Sequence, residues 1–409
     1  MSALADEVLP LIRSRSDLHR WGAANAHGRD MHEGVDKLES AIGTADPAEV
    51  YTVTRKALAS ACTVIARADD SSGIIGDACR RLIALHPQVA AAAKITPAKL
   101  VDWMIKFQFE GDVDFFTLDP VAYAPALGEK GIALYRERLA AIAAPLGLQP
   151  SDEDRWRSSH SHTWFTLDHN ARRMAVLDLD IDEIIRTHAR SRKVAAWLTD
   201  TAQAFQEIGE VDLAIDWAEQ AVEFGHGHQS LAAAELWCRL LEDHRPDDVL
   251  PARLRVFRGW PSAATAGALH QAAGATWPEY SGEVMDALTT DPCEVVRFAL
   301  QTLKEPELAW TLAHSLGLDG DRAWIDLIKV YEKIDPLAVL PAHERLVVGT
   351  LVDADARNYR AAAQRLRKMR TLAAKSDRSA DVDAFIAELR DIHRRRPRLL
   401  QEFDRAGLP

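Results

Sequence analysis

The chain has 409 residues, of which 47% are hydrophobic and 27% charged, enough apolar material for a packed core and too much for wholesale disorder. Its formal net charge of −12 argues against a general coat for nucleic acid, because phosphate binding needs a basic face. No run of about 18 apolar residues occurs, so nothing reads as a membrane span.

The first seventeen residues, MSALADEVLPLIRSRSD, start acidic and lack an unbroken apolar core before a small-residue cleavage site, so they do not read as a signal peptide. Residues 1–147 predict an N-terminal helical domain. Asp46-Pro47 places an N-cap before a first-turn proline, and Val50, Val53, Ala57, Ala61 and Val64 follow on one face. Thr96-Pro97 repeats the signal before Leu100, Trp103, Met104 and Phe107, and Asp119-Pro120 repeats it before Tyr123. His86-Pro87 predicts the end of a helix at Leu85, since a residue before proline is pushed out of the α region. Residues 148–165 are rich in Pro, Ser and charge and predict a linker or long loop.

Residues 166–409 predict a helical-repeat domain. Its clearest unit is Val194 to His226, where Leu198, Ala202 and Phe205 stripe a first helix and Gly209 marks the turn. Ala214, Ala218 and Ala221 are the small residues that let a second helix press close. These sizes follow a tetratricopeptide helix pair, a unit that cannot bury its apolar face alone and needs stacked neighbours. Segments 262–288, 293–315, 321–349 and 357–374 recur with similar length. Val382, Phe385, Ile386, Leu389 and Ile392 form a late core-facing stripe, and Pro397 interrupts the helix after the arginines. The fold expected is all-α: a TPR-like α-solenoid of stacked helix pairs with an N-terminal helical domain.

AFQEIGEVDLAIDWAEQAV, Asn358–Ala373 and Val382–Leu408 together resemble the helical-repeat region that follows the zinc finger in actinobacterial SWIM-type zinc-finger proteins. Phe116–Leu139 is similar to a segment of a related family of unassigned function. The finger itself needs CxC and a later CxH for four zinc ligands, and the chain has no such cysteine pair. The resemblance therefore implies a bacterial helical interaction module without the metal domain, and it offers no catalytic residue.

Candidate chemistry is sparse. Cys62, Cys79, Cys238 and Cys293 lack CxxC spacing and read as free thiols in a reducing, cytoplasmic setting. The pairs His160/His162 and His226/His228 fall in predicted loops and read as exposed histidines. Asp178, Asp180 and Asp182 open like a calcium loop, but Glu183 and Ala189 stand where Gly and Glu are required, so they read as a helix N-terminus. Around His19, His27, His32 and Glu33 there is no HExxH, and Arg29 and Glu33 read as an i, i+4 pair. Dinucleotide, phosphate-loop and nucleophile-elbow motifs are absent. The tryptophans, Trp197, Trp217, Trp310 and Trp324 among them, read as core, with no basic residues paired to them as a base-stacking platform.

These observations favour a non-enzymatic protein-interaction scaffold with a protein or peptide partner and neither cofactor nor metal. Thr199, Gln203 and Gln206 on the first repeat helix are the expected partner-binding positions. The alternative is a nucleic-acid-associated adaptor using Arg394, Arg395 and Arg396, a cluster that a helix C-terminus also favours.

Overall fold

The computed structural model describes residues 2–111, 116–151 and 153–409, and among these the chain is all-α, with no strand. It divides into two compact units, Met1–Phe224 and Gly225–Pro409.

Unit 1 holds α1 (Ala3–Ile12), α2 (Trp21–Ala41), α3 (Pro47–Ile65), α4 (Ile74–Ala92), α5 (Pro97–Phe109), α6 (Pro120–Ala143), α7 (Ser161–Leu177), α8 (Ile181–Ile184), α9 (Ala195–Ile208) and α10 (Val211–Glu223). The stripe Val50, Val53, Ala57, Ala61 and Val64 is buried, as its 3.6-residue period requires. Prolines open α3, α5 and α6 at the positions read from sequence, and the Asp119 carboxylate caps α6 by accepting from the Val121 N–H at 3.0 Å.

Helix α4 does not stop at Leu85; it runs through Pro87 to Ala92. The residue before the proline explains why. The His86 ring is fully buried, stacked on Trp103 at 4.0 Å between centroids and hydrogen-bonded through Nδ1 to the Tyr123 hydroxyl at 2.9 Å. Tertiary packing there outweighs the local cost of proline. Burial also pushes the His86 pKa down to about 3, with Arg55 adding to the effect.

The stretch read as a linker or long loop joins two helices of the same unit. Serine 161 already begins α7, and α6 and α7 share a buried polar knot. The Tyr135 hydroxyl donates to Asn170 Oδ1 at 2.7 Å and accepts from Gln108 Nε2 at 2.7 Å. Asn170 Nδ2 returns to Gln108 Oε1 at 3.2 Å and to the Thr166 carbonyl at 2.8 Å. Polar composition marked the loop's exposure, but this contact across it keeps 1–147 and the following helices together. Asp152, within that stretch, lies outside the described residues.

Helices α9 and α10 form the antiparallel pair expected from the repeat-like unit. Leu198, Ala202, Phe205, Ala214, Ala218 and Ala221 are all buried, and Gly209 turns the chain with φ +84°, a conformation costly for a side chain bearing Cβ.

Unit 2 holds α11 (His228–His244), α12 (Val249–Gly259), α13 (Ala263–Ala273), α14 (Pro278–Leu288), α15 (Pro292–Phe298), α16 (Pro306–Ser315), α17 (Asp321–Tyr331), α18 (Leu340–Thr350), α19 (Ala356–Ala373), α20 (Ser379–Ile392) and α21 (Pro397–Arg405). Segments 262–288, 293–315 and 321–349 each contain a helix pair, whereas 357–374 is the single helix α19. Val382, Ile386 and Leu389 are buried, but Ile392 is 62% exposed because α20 ends there. No described helix is long and apolar enough to cross a membrane.

Candidate functional site

In unit 1 a cleft opens between α6 and α7, with a volume of about 590 Å³. Arg136, Leu139, Ala140 and Ala143 repeat along one face of α6, and Trp164, Leu167, Asp168, Ala171 and Met174 along the facing side of α7. Alanines on both helices leave room between the backbones, while Trp164 and Met174, 7% and 8% exposed, form an apolar floor. Gly128, at φ +58° and ψ 178°, breaks the regular helix within α6 ahead of this wall.

The third wall is a π-helical turn, Ile185–Ala189, directly after α8. The Asp180 side chain caps α8 by accepting from the Glu183 N–H at 3.0 Å, so the acidic run is a helix N-terminus, as read from sequence. The wider π turn buries Thr187, His188 and Ala189 while Arg186 and Arg190, four apart, both face the cleft. His188 Nδ1 donates to the Ile184 carbonyl at 3.2 Å, and burial, reinforced by Arg172, pushes its pKa down to about 4. It is a neutral structural ring.

Arg190 ends the turn at φ +48° and ψ −124°, a backbone conformation that costs a non-glycine residue on the order of 1–3 kcal/mol. Its guanidinium is held twice: it pairs with Asp168, and it stands 5.2 Å above the Trp197 ring. The two charged side chains are only 16% and 13% exposed, so water screens the pair weakly. Gln149 approaches the same carboxylate at 3.5 Å from the loop side. Two residues on, Arg192, also at positive φ, covers Trp217 at 4.7 Å.

A smaller cleft of about 260 Å³ involves other residues of α7, together with the π turn and α9, and gathers His169, Arg172, Arg173, His188, Asp200, Gln203 and Glu207. Arg173 grips Asp119 through Nε and Nη2, both at 2.8 Å, and Glu207 through Nη1 and Nη2 at 2.7 and 2.6 Å. Arg172 reaches Asp200 at 3.8 Å, and burial raises the Asp200 pKa against that pull. His169 Nε2 is tied to the Leu118 carbonyl at 3.2 Å. Acids and bases here hold one another in an ion-pair network.

Of the residues expected to meet a partner, Gln203 lines this smaller cleft and Gln206 is exposed on α9. Thr199 is half-buried, and its hydroxyl donates to the Ala195 carbonyl at 3.1 Å. None of the three lines the large cleft. In unit 2, Arg396 Nη1 donates to the Leu351 carbonyl at 2.6 Å, and exposed Arg394 lies 3.4 Å from Asp391. Arg395 is exposed and has no ion-pair partner among the described residues.

The remaining motifs resolve locally. His162 Nε2 bonds the Gln108 carbonyl at 3.0 Å, and the His226 ring lies 5.6 Å from Trp260. His27 and His32 bond the carbonyls of Ile12 and Ile74, each at 3.1 Å. Glu33 pairs forward with Lys37 at 3.7 Å, not back with Arg29. No three His, Cys, Asp or Glu residues group as metal ligands among the described residues. Among the described residues Trp197, Trp217, Trp237 and Trp324 do carry a guanidinium, from Arg190, Arg192, Arg255 and Arg345, which the sequence reading missed because each pair joins two different elements. The cleft itself was overlooked for a similar reason: its first α7 residue, Trp164, fell in the supposed linker.

The architecture defines an all-α protein whose larger cleft is built by helix faces and a π turn. The chain belongs to a family of unknown function, DUF6880, whose profile matches residues 5–295. The match takes in the whole of unit 1, apart from its first four residues, and the first part of unit 2. No curated protein matches the sequence.

Proposed function

We propose that the protein is a non-enzymatic interaction scaffold and that the α6–α7 cleft seats an apolar side chain of a partner peptide. The observation that carries this reading is the floor of Leu139, Ala140, Trp164, Leu167, Ala171 and Met174 beneath a rim of arginine, glutamine and serine. An apolar floor with a few orienting polar groups is the usual make-up of a recognition site, and its volume falls within the usual range of roughly 300–1,000 Å³. The strained, doubly held Arg190 supports it, because backbone strain persists where surrounding structure fixes a geometry that function uses.

Catalysis is the weaker reading. The histidines nearest the clefts hold backbone carbonyls, and the carboxylates of the smaller cleft are engaged by Arg172 and Arg173. The α9–α10 pair supports a TPR-like reading, in which its neighbours cover the apolar faces it cannot bury alone. The resemblance to the helical region of SWIM-type proteins agrees with that reading, although Asn358–Ala373 and Val382–Leu408 lie beyond the family match. The four free thiols suit a cytoplasmic protein; burial pushes Cys79 and Cys238 up to about 12 and 11, which keeps them unreactive. For the nucleic-acid alternative, the bond of Arg396 to the Leu351 carbonyl leaves Arg395 and Arg394, the latter weakly paired with Asp391, to meet phosphate.

The test is selection of random peptides displayed on phage against the full chain and against Ala171→Trp, which fills the cleft. The proposal expects a consensus centred on an apolar residue and its loss in the filled variant. A consensus that both proteins select equally would refute it.

A further inference from the structure

The charges around the α6–α7 cleft are out of keeping with the rest of the molecule. The chain carries 61 acidic and 49 Lys and Arg residues, yet the cleft is lined by three arginines and a single carboxylate. Asp168 and Arg190 neutralise one another at its wall, which leaves Arg136 and Arg186. Their partners, Asp178 and Glu183, stand outside the lining. Both pairs are exposed: the Arg136 side chain is 44% and the Arg186 side chain 67% accessible. The single exposed contact of Arg136 to Asp178 contributes about 0–1 kcal/mol, so an incoming carboxylate competes with it on nearly equal terms, while Arg186 holds Glu183 through Nε and Nη2 and keeps Nη1 for a newcomer. Guanidinium groups can receive such a carboxylate through two parallel hydrogen bonds.

Resting on the cleft reading above, we infer that the occupant is an acidic peptide segment, with an apolar side chain on the floor and flanking carboxylates on Arg136 and Arg186. The two arginines approach from different walls, α6 and the π turn, so they can engage acidic residues on either side of one apolar anchor. The same arrangement discriminates against basic and neutral segments, which leave the guanidiniums with no new partner.

The experiment uses two fluorescein-labelled synthetic peptides, Gly-Asp-Glu-Leu-Glu-Asp-Gly and its neutral counterpart Gly-Asn-Gln-Leu-Gln-Asn-Gly, titrated with the full chain by fluorescence anisotropy. The acidic peptide is expected to bind, and its neutral counterpart about tenfold more weakly. Arg136→Gln with Arg186→Gln should weaken the acidic peptide about tenfold and leave the neutral one unchanged, while Ala171→Trp removes both. Circular dichroism confirms that the exposed substitutions leave the fold intact.

Equal binding of both peptides, blocked by Ala171→Trp, would overturn the inference and leave the cleft reading standing. Acidic-peptide binding that survives Ala171→Trp would place the ligand elsewhere and refute both. No binding of the acidic peptide also overturns the inference, as does displacement of it by an oligothymidylate in a manner the arginine substitutions abolish, which would assign the rim to nucleic acid.

Discussion

Replacing Tyr135 by Phe deletes one oxygen from the knot that joins α5, α6 and α7, and the cost can be worked bond by bond. The hydroxyl accepts from Gln108 and donates to Asn170, both at 2.7 Å, and all three residues are at most 2% exposed. Gln108 Nε2 keeps the Met104 carbonyl at 3.2 Å, so its loss is partial. Asn170 Oδ1 keeps no other partner among the described residues and becomes a buried orphan acceptor. Two bonds of about 1 kcal/mol each, with one group left unsatisfied, give roughly 2–3 kcal/mol. Tyr123→Phe removes a single bond but leaves the fully buried His86 Nδ1 without a partner, so it should cost about 1–3 kcal/mol. Native-state hydrogen exchange, read peptide by peptide, measures both, with unit 2 as internal reference. Opening of residues 120–177 should ease by roughly one and a half to two orders of magnitude in Tyr135→Phe. A change below about 0.5 kcal/mol in Tyr135→Phe would refute the reasoning.

Acid should destabilise unit 1 through His86, whose pKa is about 3 in the fold against an ordinary 6.5. A depressed histidine means that the unfolded chain takes up the proton first, so stability is full above pH 6.5 and falls as the pH drops toward 3. At about pH 5 the loss through His86 is roughly 2 kcal/mol, and His86→Phe, measured by urea unfolding at both pH values, should remove that share and leave the part due to His188. Gly28→Ala should cost about 1–3 kcal/mol, because a Cβ there would stand 2.5 Å from Ile74 Cγ2, whereas Gly282→Ala in α14 meets nothing within 4 Å and should gain about 0.5–1 kcal/mol. Thermal melting distinguishes the pair. Arg396→Ala should lower unit 2 stability by about 1 kcal/mol through the lost Leu351 carbonyl bond, and Arg395→Ala by less than about 0.5 kcal/mol.

What could be read from sequence was local and periodic. Pro-opened helices, the buried stripe of α3 and the alanine-lined α9–α10 pair follow from spacing alone, because 3.6-residue repetition and Pro-Gly punctuation act within a few residues. What escaped depended on distant partners. The continuation of α4 through Pro87 needs Trp103 and Tyr123 around His86, and the joining of α6 to α7 needs Gln108. The cleft lies further still from a motif: its rim combines α6, the loop at 149–151 and the π turn, and no spacing rule announces a π turn. Arg396 illustrates the converse, a residue conspicuous in a charge run whose visible role is to hold a carbonyl of Leu351.

The most direct test is hydrogen–deuterium exchange of the full chain with and without the peptide obtained by display selection. Slowed exchange in residues 136–143, 164–174 and 186–191 is the predicted footprint. Protection confined to α9, or to unit 2, would contradict it.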